Sequence, residues 1–440
     1  MILIYLAKTN PRNRYIFKVV LGHYFGLEEF KLVDDEKEYL AYEGPKFSYS
    51  SKRIDDGIHF HASGLLDQRG IKKQEIEFGE HQGVPTLFHH KEDASIPYDP
   101  FSASFFMLTR YEEYLPYLSD QYDRFNAEDS LAKERGFLQT AVVDRWLIQI
   151  RELLKSKYPN LSFKKYQYRY LLTLDIDNAY AYKEKGLVRN IGAFIRNLIN
   201  TDFQEIKLQI QVLLRKKNDP FDSYNYLKNI QKRYNLRPIY FFLLADYGLN
   251  DKNIFYQNRH FQSLIKSIAD YAEVGIHPSF GSNYKHNKLG DEINRLERIT
   301  KRDIHKSRQH FLKLHLPDTY RRLVEADIHD DYTMGYASEL GFRAGAAFAY
   351  PFYDLNEEVE LKLMVNPFMV MDATLKYYLK VEGEKAFDQI KPIIDECKAV
   401  NGIFASLWHN ESLGESKEWE GWRELFEKMN DYATENGQSM

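Results

Sequence analysis

Two kinds of segment alternate along the chain. Residues 238–244 form an uninterrupted apolar run, which is typical of a strand buried on both faces of a sheet. Residues 386–400 instead space their apolar side chains three and four positions apart, which predicts an amphipathic helix. Residues 341–345 are predicted to form another short strand. This repetition continues from residue 166 to 440 and predicts an α/β fold built as a parallel (β/α) barrel.

The pattern before residue 166 is less regular. Short apolar stretches such as residues 57–61 are mixed with helical stretches such as residues 143–154. A basic and polar stretch at residues 155–160 is typical of a loop that leaves a domain. We therefore predict a smaller mixed α/β domain of unknown role at residues 1–165, followed by the barrel at residues 166–440.

Composition and charge narrow the classes of function. Lysine and arginine number 60 and aspartate and glutamate 64, so the net charge is −4 and no basic excess attracts nucleic acid. A single cysteine, Cys397, excludes an intrachain disulfide and fits a reducing compartment. No apolar run reaches 18 residues and no signal-peptide pattern is present, which predicts a soluble cytoplasmic protein without a transmembrane segment. Peripheral attachment to a membrane complex stays open, and the oligomeric state is not decided.

Polar residues end three of the predicted strands, and in a (β/α) barrel chemistry takes place at the carboxyl ends of the strands. Asp175 and Asp177 are two positions apart, so their side chains point to the same face of one strand. Two neighbouring carboxylates are costly unless a cation compensates them, so one could bind a metal while the other takes a proton. His277 and His409 end two further strands. Taken one at a time, these residues could equally cap helices or make structural hydrogen bonds.

In this order the strand ends resemble the motifs of the polysaccharide deacetylase family (NodB-homology, carbohydrate esterase family 4). Residues 173–177 resemble its acid-pair motif, and residues 275–279 resemble the start of its histidine motif. Residues 308–311 are similar to its Arg-x-Pro-Tyr motif, and residues 407–409 match its Leu-x-His motif. The resemblance covers residues 166–440 and implies a distorted (β/α) barrel of the NodB type. It also implies a metal-dependent hydrolase that removes an acetyl group from an N-acetylated sugar or glycan precursor.

The same resemblance implies a role for each matching residue. Asp177 and His277 would bind one divalent metal, and Asp175 would act as the general base. Arg308 would lie beside Asp175 and hold it ionised, and His409 would protonate the leaving amine.

The chain departs from the family pattern at three positions. Ile176 separates the two acids, which are usually adjacent, and Gly281 replaces the usual second histidine. His310 stands where the family has proline, and we predict that it supplies the missing nitrogen ligand. Asp177, His277 and His310 would then offer one carboxylate and two imidazoles, a set that suits zinc, with cobalt and manganese as alternatives.

Two alternatives stay open beside this prediction. His310 could be an ordinary polar neighbour, in which case a catalytically inactive barrel would bind a glycan or a protein partner. The site could also hydrolyse an amide that is not part of a sugar. If the site acts on a sugar, the predicted compartment favours an intracellular glycan precursor, nucleotide-linked or lipid-linked, over an extracellular polymer.

Overall fold

A computed structural model of the protein describes residues 1–27, 29–284, 286–435 and 438–439. The strands are β1 (Ile2–Leu6), β2 (Phe30–Val33), β3 (Lys46–Ser50), β4 (Ile58–His61), β5 (Phe78–His81), β6 (Val84–Leu87), β7 (Arg169–Ile176), β8 (Ile239–Phe242), β9 (Glu273–Ile276), β10 (Lys306–Ser307), β11 (Asp330–Asp331), β12 (Tyr350–Asp354), β13 (Val359–Val365), β14 (Val370–Met371), β15 (Ile403–His409) and β16 (Gln438–Ser439). The α-helices are α1 (Pro11–Phe17), α2 (Glu36–Ala41), α3 (Pro100–Leu108), α4 (Leu131–Glu134), α5 (Val142–Lys157), α6 (Gly186–Ile199), α7 (Phe203–Leu213), α8 (Tyr224–Arg233), α9 (Arg259–Ala269), α10 (His286–Thr300), α11 (Asp318–Glu325), α12 (Gly383–Ala399) and α13 (Trp422–Thr434).

The first sheet is parallel and four-stranded, in the order β2-β1-β3-β4. Ile2, Leu3 and Ile4 of β1 are all buried, as expected for an apolar strand between two others. A separate antiparallel hairpin, β5–β6, turns at Gln82 and Gly83, and both have positive φ as a tight two-residue hairpin turn requires.

The second sheet is ten-stranded, in the order β12-β13-β11-β10-β9-β8-β7-β15-β14, and β16 also pairs with β7. All of its pairs are parallel except β12–β13. The parallel sheet predicted from residue 166 onward is therefore confirmed.

The predicted closure into a barrel is wrong, because this sheet is open in the described residues. At one end β12 forms only an antiparallel ladder with β13, and at the other end the two-residue strand β14 pairs only with β15. A barrel needs its first and last strands to share a ladder at a consistent stagger, and these two ends share none.

Buried ion pairs join the part of the chain before residue 165 to the part after it. Glu113 accepts hydrogen bonds from Arg343 at 2.7 and 2.9 Å and from Nε of Arg110 at 2.8 Å. Burial raises the pKa of Glu113, but the two guanidinium groups outweigh it and hold the pKa below its usual value. Residues from both parts also contribute to one continuous apolar core. The division at residue 165 stays a prediction.

Across the described part of the chain, every helix is too short or too polar to cross a membrane.

Candidate active site

The six site residues predicted from the sequence all lie at one end of the second sheet, where its parallel strands finish; we call this end the carboxyl edge. Asp175 lies in β7 and is directly opposite His409 at the end of β15. Asp177 follows β7 and His277 follows β9, on the same edge. Arg308 and His310 follow β10 on this edge as well. The register of neighbouring parallel strands brings these ends together.

Asp177 lies between two histidines. Its Oδ1 atom is 3.1 Å from Nε2 of His277, and its Oδ2 atom is 3.4 Å from Nε2 of His310. One ligand atom from each of the three residues lies within 4.8 Å of the others. The arrangement therefore brings together the carboxylate and the two imidazoles that were predicted as a metal-binding set.

The two histidines are oriented by their other ring nitrogen. Nδ1 of His277 is 2.6 Å from the carbonyl oxygen of Arg308, and Nδ1 of His310 is 2.9 Å from Oδ1 of Asp251. A carbonyl or an ionised carboxylate only accepts a hydrogen bond, so Nδ1 of each ring carries the hydrogen. Nε2 of each ring is then the atom that faces Asp177. Histidine ligands in metal sites are held in this way by a partner outside the metal shell.

The environment of Asp177 fits a divalent cation. Its buried Oδ1 atom has no hydrogen-bond partner among the described residues, although Nε2 of His277 is 3.1 Å away. A short contact without hydrogen-bond geometry is expected when two atoms point at a common third atom. Two imidazoles and one carboxylate form a donor set that zinc and similar ions prefer.

The same contacts shift the pKa values in the cluster. Burial raises the pKa of Asp177, but His310 and His277 outweigh it and hold the pKa well below its usual value. Burial lowers the pKa of His310, but Asp177 and Asp251 outweigh it and raise the pKa to about 9. These contacts therefore favour an ionised Asp177 beside a protonated His310.

Asp175 is paired with Arg308 beside this cluster. Nη1 of Arg308 is 3.0 Å from Oδ1 of Asp175 and 2.7 Å from Oγ1 of Thr173, and its Nε donates to the carbonyl of Tyr332 at 2.9 Å. The guanidinium also lies over the ring of Phe241, at 4.8 Å from the ring centre. Oδ2 of Asp175 points the other way and is 3.8 Å from Nε2 of His277. Arg308 therefore holds Asp175 so that its Oδ2 atom faces the cluster of Asp177, His277 and His310.

His409 approaches the cluster from the β15 side, with Nε2 at 4.0 Å from Oδ2 of Asp177. Its Nδ1 is 2.8 Å from Oδ1 of Asp372, whose other oxygen accepts a 2.8 Å bond from the backbone N–H of His409. Ser412 also donates to Asp372. Burial lowers the pKa of His409, but Asp372, Asp177 and Asp175 raise it to about 10.

Asp372 was missed in the sequence, although a signal for it exists. It directly follows the short strand β14 in an apolar stretch. The rule that selected the acids after β7 would also have selected this one, but a strand of two residues has too little pattern to be recognised.

Asp251 was also missed, and no local pattern points to it because it lies in the loop between β8 and α9. It accepts hydrogen bonds from the backbone N–H groups of Phe280 at 2.9 Å and Gly281 at 3.2 Å, and it holds His310 from the other side. A Cβ atom at Gly281 would lie 3.1 Å from Nζ of Lys288, which is a tight contact. Gly281, where the sequence lacks the second histidine that the resemblance implies, therefore supplies a backbone donor to the carboxylate that orients His310.

Glu411 is a further acid near the cluster that the sequence analysis did not select. Burial and the nearby charge of Asp177 raise its pKa to about 7, although His409 and Lys185 act in the opposite direction.

Comparison with known proteins gives a family match for the first part of the chain. Residues 2–159 match DUF7033, a family of unknown function. No curated protein matches the sequence.

Solved structures show similarity over about three fifths of the chain. PuuE allantoinase has a TM-score of 0.41 at 12% identity, with 61% of this chain and 85% of that chain covered. A polysaccharide deacetylase from Bacillus cereus has a TM-score of 0.29 at 14% identity, with 60% and 89% covered. A CE4-family pseudoenzyme from Bacillus anthracis has a TM-score of 0.30 at 10% identity, with 62% and 63% covered.

Proposed function

We propose that this chain is a metal-dependent hydrolase that removes an acetyl group from an N-acetylated sugar or a glycan precursor. The observation that carries the proposal is the cluster of Asp177, His277 and His310. On one side of it lies the Asp175–Arg308 pair, and on the other lies His409. A ligand set, an oriented carboxylate and a protonated imidazole at one edge are the groups that a metal-dependent amide hydrolase uses.

Asp177, His277 and His310 would hold one divalent metal, with zinc favoured by the donor set and cobalt or manganese as alternatives. When bound, such an ion supplies Lewis-acid chemistry, because it polarises a carbonyl group and lowers the pKa of water. Arg308 and Asp251 orient the two imidazoles from outside this set.

Asp175 takes the proton of the attacking water. Its Oδ1 atom is held by Arg308, and its Oδ2 atom faces the cluster at 3.8 Å from His277. Because Arg308 occupies Oδ1, Oδ2 is the oxygen left to accept the proton. Because both Asp175 and Arg308 are buried, this geometry is fixed before a substrate arrives.

His409 donates a proton to the amine that leaves. Asp372 binds Nδ1 at 2.8 Å, so Nε2 is the atom left to face the reacting group. With the pKa raised to about 10, the imidazole carries its second proton at neutral pH. General acid–base catalysis of this kind contributes about 10²–10⁴-fold in rate.

The proposal also divides the chain into an N-terminal domain at residues 1–165 and a catalytic domain at residues 166–440, in a cytoplasmic protein. The support for the division is that β1–β4 and β7–β16 form separate sheets. Expression of residues 166–440 alone would test the division of the chain. Fractionation of cells that contain the whole chain would test its location.

The deciding experiment measures bound metal and acetate release on the same preparations. Elemental mass spectrometry should find about one divalent ion per chain in the unaltered protein. Asp177→Ala, His277→Ala and His310→Ala should lose it, and His315→Ala, at an exposed histidine on the same segment, should keep it. The unaltered protein should release acetate from soluble acetamido-sugar conjugates. If no metal binds after reconstitution with zinc, cobalt and manganese, the non-catalytic binding role replaces the hydrolase.

A further inference from the structure

Helices α6 and α7, which we call the helical hairpin, contact each other and are the first helices after β7 and the carboxyl edge. They reverse the usual arrangement of a helix on a soluble protein. Leu187 and Val188 are 81% and 85% exposed, whereas Asn197 and Gln209 are only 5% and 1% exposed. A surface helix normally turns its apolar stripe to the core and its amides to water.

The exposed apolar side chains follow helical spacing. Leu187, Ile191, Phe194 and Leu198 repeat at intervals of four, three and four positions, so they form one stripe along α6. Phe203 at the start of α7 is also exposed. Monomeric soluble proteins rarely expose a continuous apolar stripe of this kind, and such stripes mark protein–protein or membrane contacts.

Hydrogen bonds join the two helices of the hairpin and tie α6 to neighbouring segments. Gln209 donates to the carbonyl of Asn190 at 2.8 Å, and Asn190 donates to the carbonyl of Tyr182 at 3.1 Å. Arg189 donates to the carbonyl of Asn253 at 2.9 Å. The first of these bonds joins the two helices, and the other two tie α6 to residues 182 and 253 while its apolar stripe faces outward.

Charge around the stripe indicates what covers it. Residues 183–217 contain eight lysines and arginines but only three aspartates and glutamates, in a chain whose net charge is −4. The basic residues include Lys207, Lys216 and Lys217, all exposed. A helix pair with an exposed apolar stripe and a basic surround is typical of segments that lie in the interface of an anionic membrane.

We propose that the helical hairpin docks this protein on the surface of a bilayer that contains anionic lipids. The apolar stripe of α6 enters the boundary between headgroups and acyl chains, and the lysines contact the lipid phosphates. The loop after β8 extends the same surface, because Tyr247 and Leu249 are exposed there and Arg189 lies 4.7 Å from the ring centre of Tyr247. Tyrosine at such a boundary is common, since its ring is apolar and its hydroxyl is polar.

Docking would bring the candidate active site close to the membrane. The hairpin is connected to Asp177 through residues 178–185, and Arg189 binds the loop that contains Asp251. A substrate carried on a lipid would then reach the carboxyl edge from the bilayer. This last step rests on the proposed hydrolase function, whereas the docking itself does not.

Co-sedimentation with vesicles tests the docking. The full chain is mixed with vesicles of phosphatidylcholine alone and with vesicles that also contain phosphatidylglycerol. We expect binding to the anionic vesicles, weaker binding to the neutral ones, and a decrease on adding salt. Ile191→Glu combined with Leu198→Glu should reduce binding about tenfold or more. Lys216→Glu combined with Lys217→Glu should reduce binding to anionic vesicles only.

Leu40→Glu is the matched control, because Leu40 is an exposed leucine on α2 beside the first sheet. It should bind as the unaltered chain does, and circular dichroism should show all variants folded. Equal binding of the Ile191–Leu198 variant, or no binding of the unaltered chain, overturns the proposal. A dimer in sedimentation velocity that this variant dissociates, without vesicle binding, would assign the stripe to a second copy instead. Bound metal and acetate release are measured separately, so failure of docking leaves the hydrolase proposal standing.

Discussion

Asp175 and Arg308 form a buried ion pair at the carboxyl edge, with Nη1 3.0 Å from Oδ1. The other contacts of the two side chains differ. Arg308 also bonds to Thr173 and to the carbonyl of Tyr332, so it is anchored to the fold, whereas Oδ2 of Asp175 is turned to the cluster around Asp177. A buried pair of this sort is weak evidence for stability by itself, because desolvation offsets much of the attraction. Its geometry instead fits the positioning of a base.

Asp175→Asn should keep bound metal and lose turnover by about 10²–10⁴-fold, because an amide cannot accept the proton of the attacking water. Metal content and acetate release measured on the same sample check this. Asp303→Asn, at an exposed position, serves as the control and should change neither quantity. Normal turnover in Asp175→Asn would remove this residue from the mechanism.

Asp251→Asn should weaken metal binding by about 10–100-fold, the usual effect of removing a partner that orients a histidine ligand. The neutral amide oxygen accepts from Nδ1–H of His310 more weakly than the carboxylate does at 2.9 Å, and the NH2 group of asparagine would face a backbone N–H of Phe280 or Gly281 that the carboxylate now accepts from. Competition with a chelator measures the affinity. Asp246→Asn is a matched control, because this exposed acid lies in the same loop and pairs with Arg295. Unchanged affinity in Asp251→Asn would show that His310 needs no orienting partner or is not a ligand.

Local pattern is sufficient to predict the longer strands that carry the site, but not the two-residue strands β10 and β14. Residues 403–409 were predicted as a strand, and β15 spans the same residues, because an apolar run that ends in a polar residue is specified within the run itself. The same logic located Asp177 and His277 at strand ends. Each of these predictions depends only on a few neighbouring residues and on the rule that functional residues lie at the carboxyl ends of parallel strands.

Contacts between distant parts of the chain could not be predicted in this way. Residues 341–345 were predicted as a strand but form a turn, where Gly341 has a φ of +128° and a Cβ would lie 2.4 Å from the carbonyl oxygen of Leu138. Asp251 and His310 are 59 positions apart and meet only after folding. Closure of the second sheet likewise depends on the register of strands far apart in sequence.

Metal affinity should rise with pH up to about 9. Below that pH His310 carries a proton on the nitrogen that would bind the ion, because its pKa is raised to about 9. Binding must displace this proton, so the affinity should increase by up to about tenfold per pH unit and then level off. Calorimetric titration with zinc in buffers of different ionisation enthalpy measures the protons released. If zinc binding releases the same number of protons at pH 6 and at pH 9, His310 does not lose a proton on binding as predicted.

Asp372→Asn should move the alkaline limb of the rate profile to lower pH. A general acid must be protonated, so the rate falls as pH rises through the pKa of His409, which Asp372 helps to raise to about 10. Removing that carboxylate lowers the pKa, and the loss of rate should begin earlier. The pH dependence of kcat/KM for acetate release measures it, with Asp388→Asn at an exposed position as the control. An alkaline limb at the same pH in both variants would assign it to another group.

Asp144→Asn should stabilise the fold increasingly as pH rises. Asp144 is buried at the start of α5, where Oδ2 accepts a 2.8 Å bond from the backbone N–H of Ala347, and burial raises its pKa to about 8. The folded state therefore keeps a proton that the unfolded chain has already lost, so the unaltered protein loses stability between about pH 4 and pH 8. Asparagine keeps an acceptor oxygen for Ala347 without this penalty. The difference in free energy of unfolding should grow by up to about 1.4 kcal/mol per pH unit in that range. Urea unfolding at pH 5, 6.5 and 8 measures it, and parallel curves for the two proteins would show that Asp144 is ionised in the folded state.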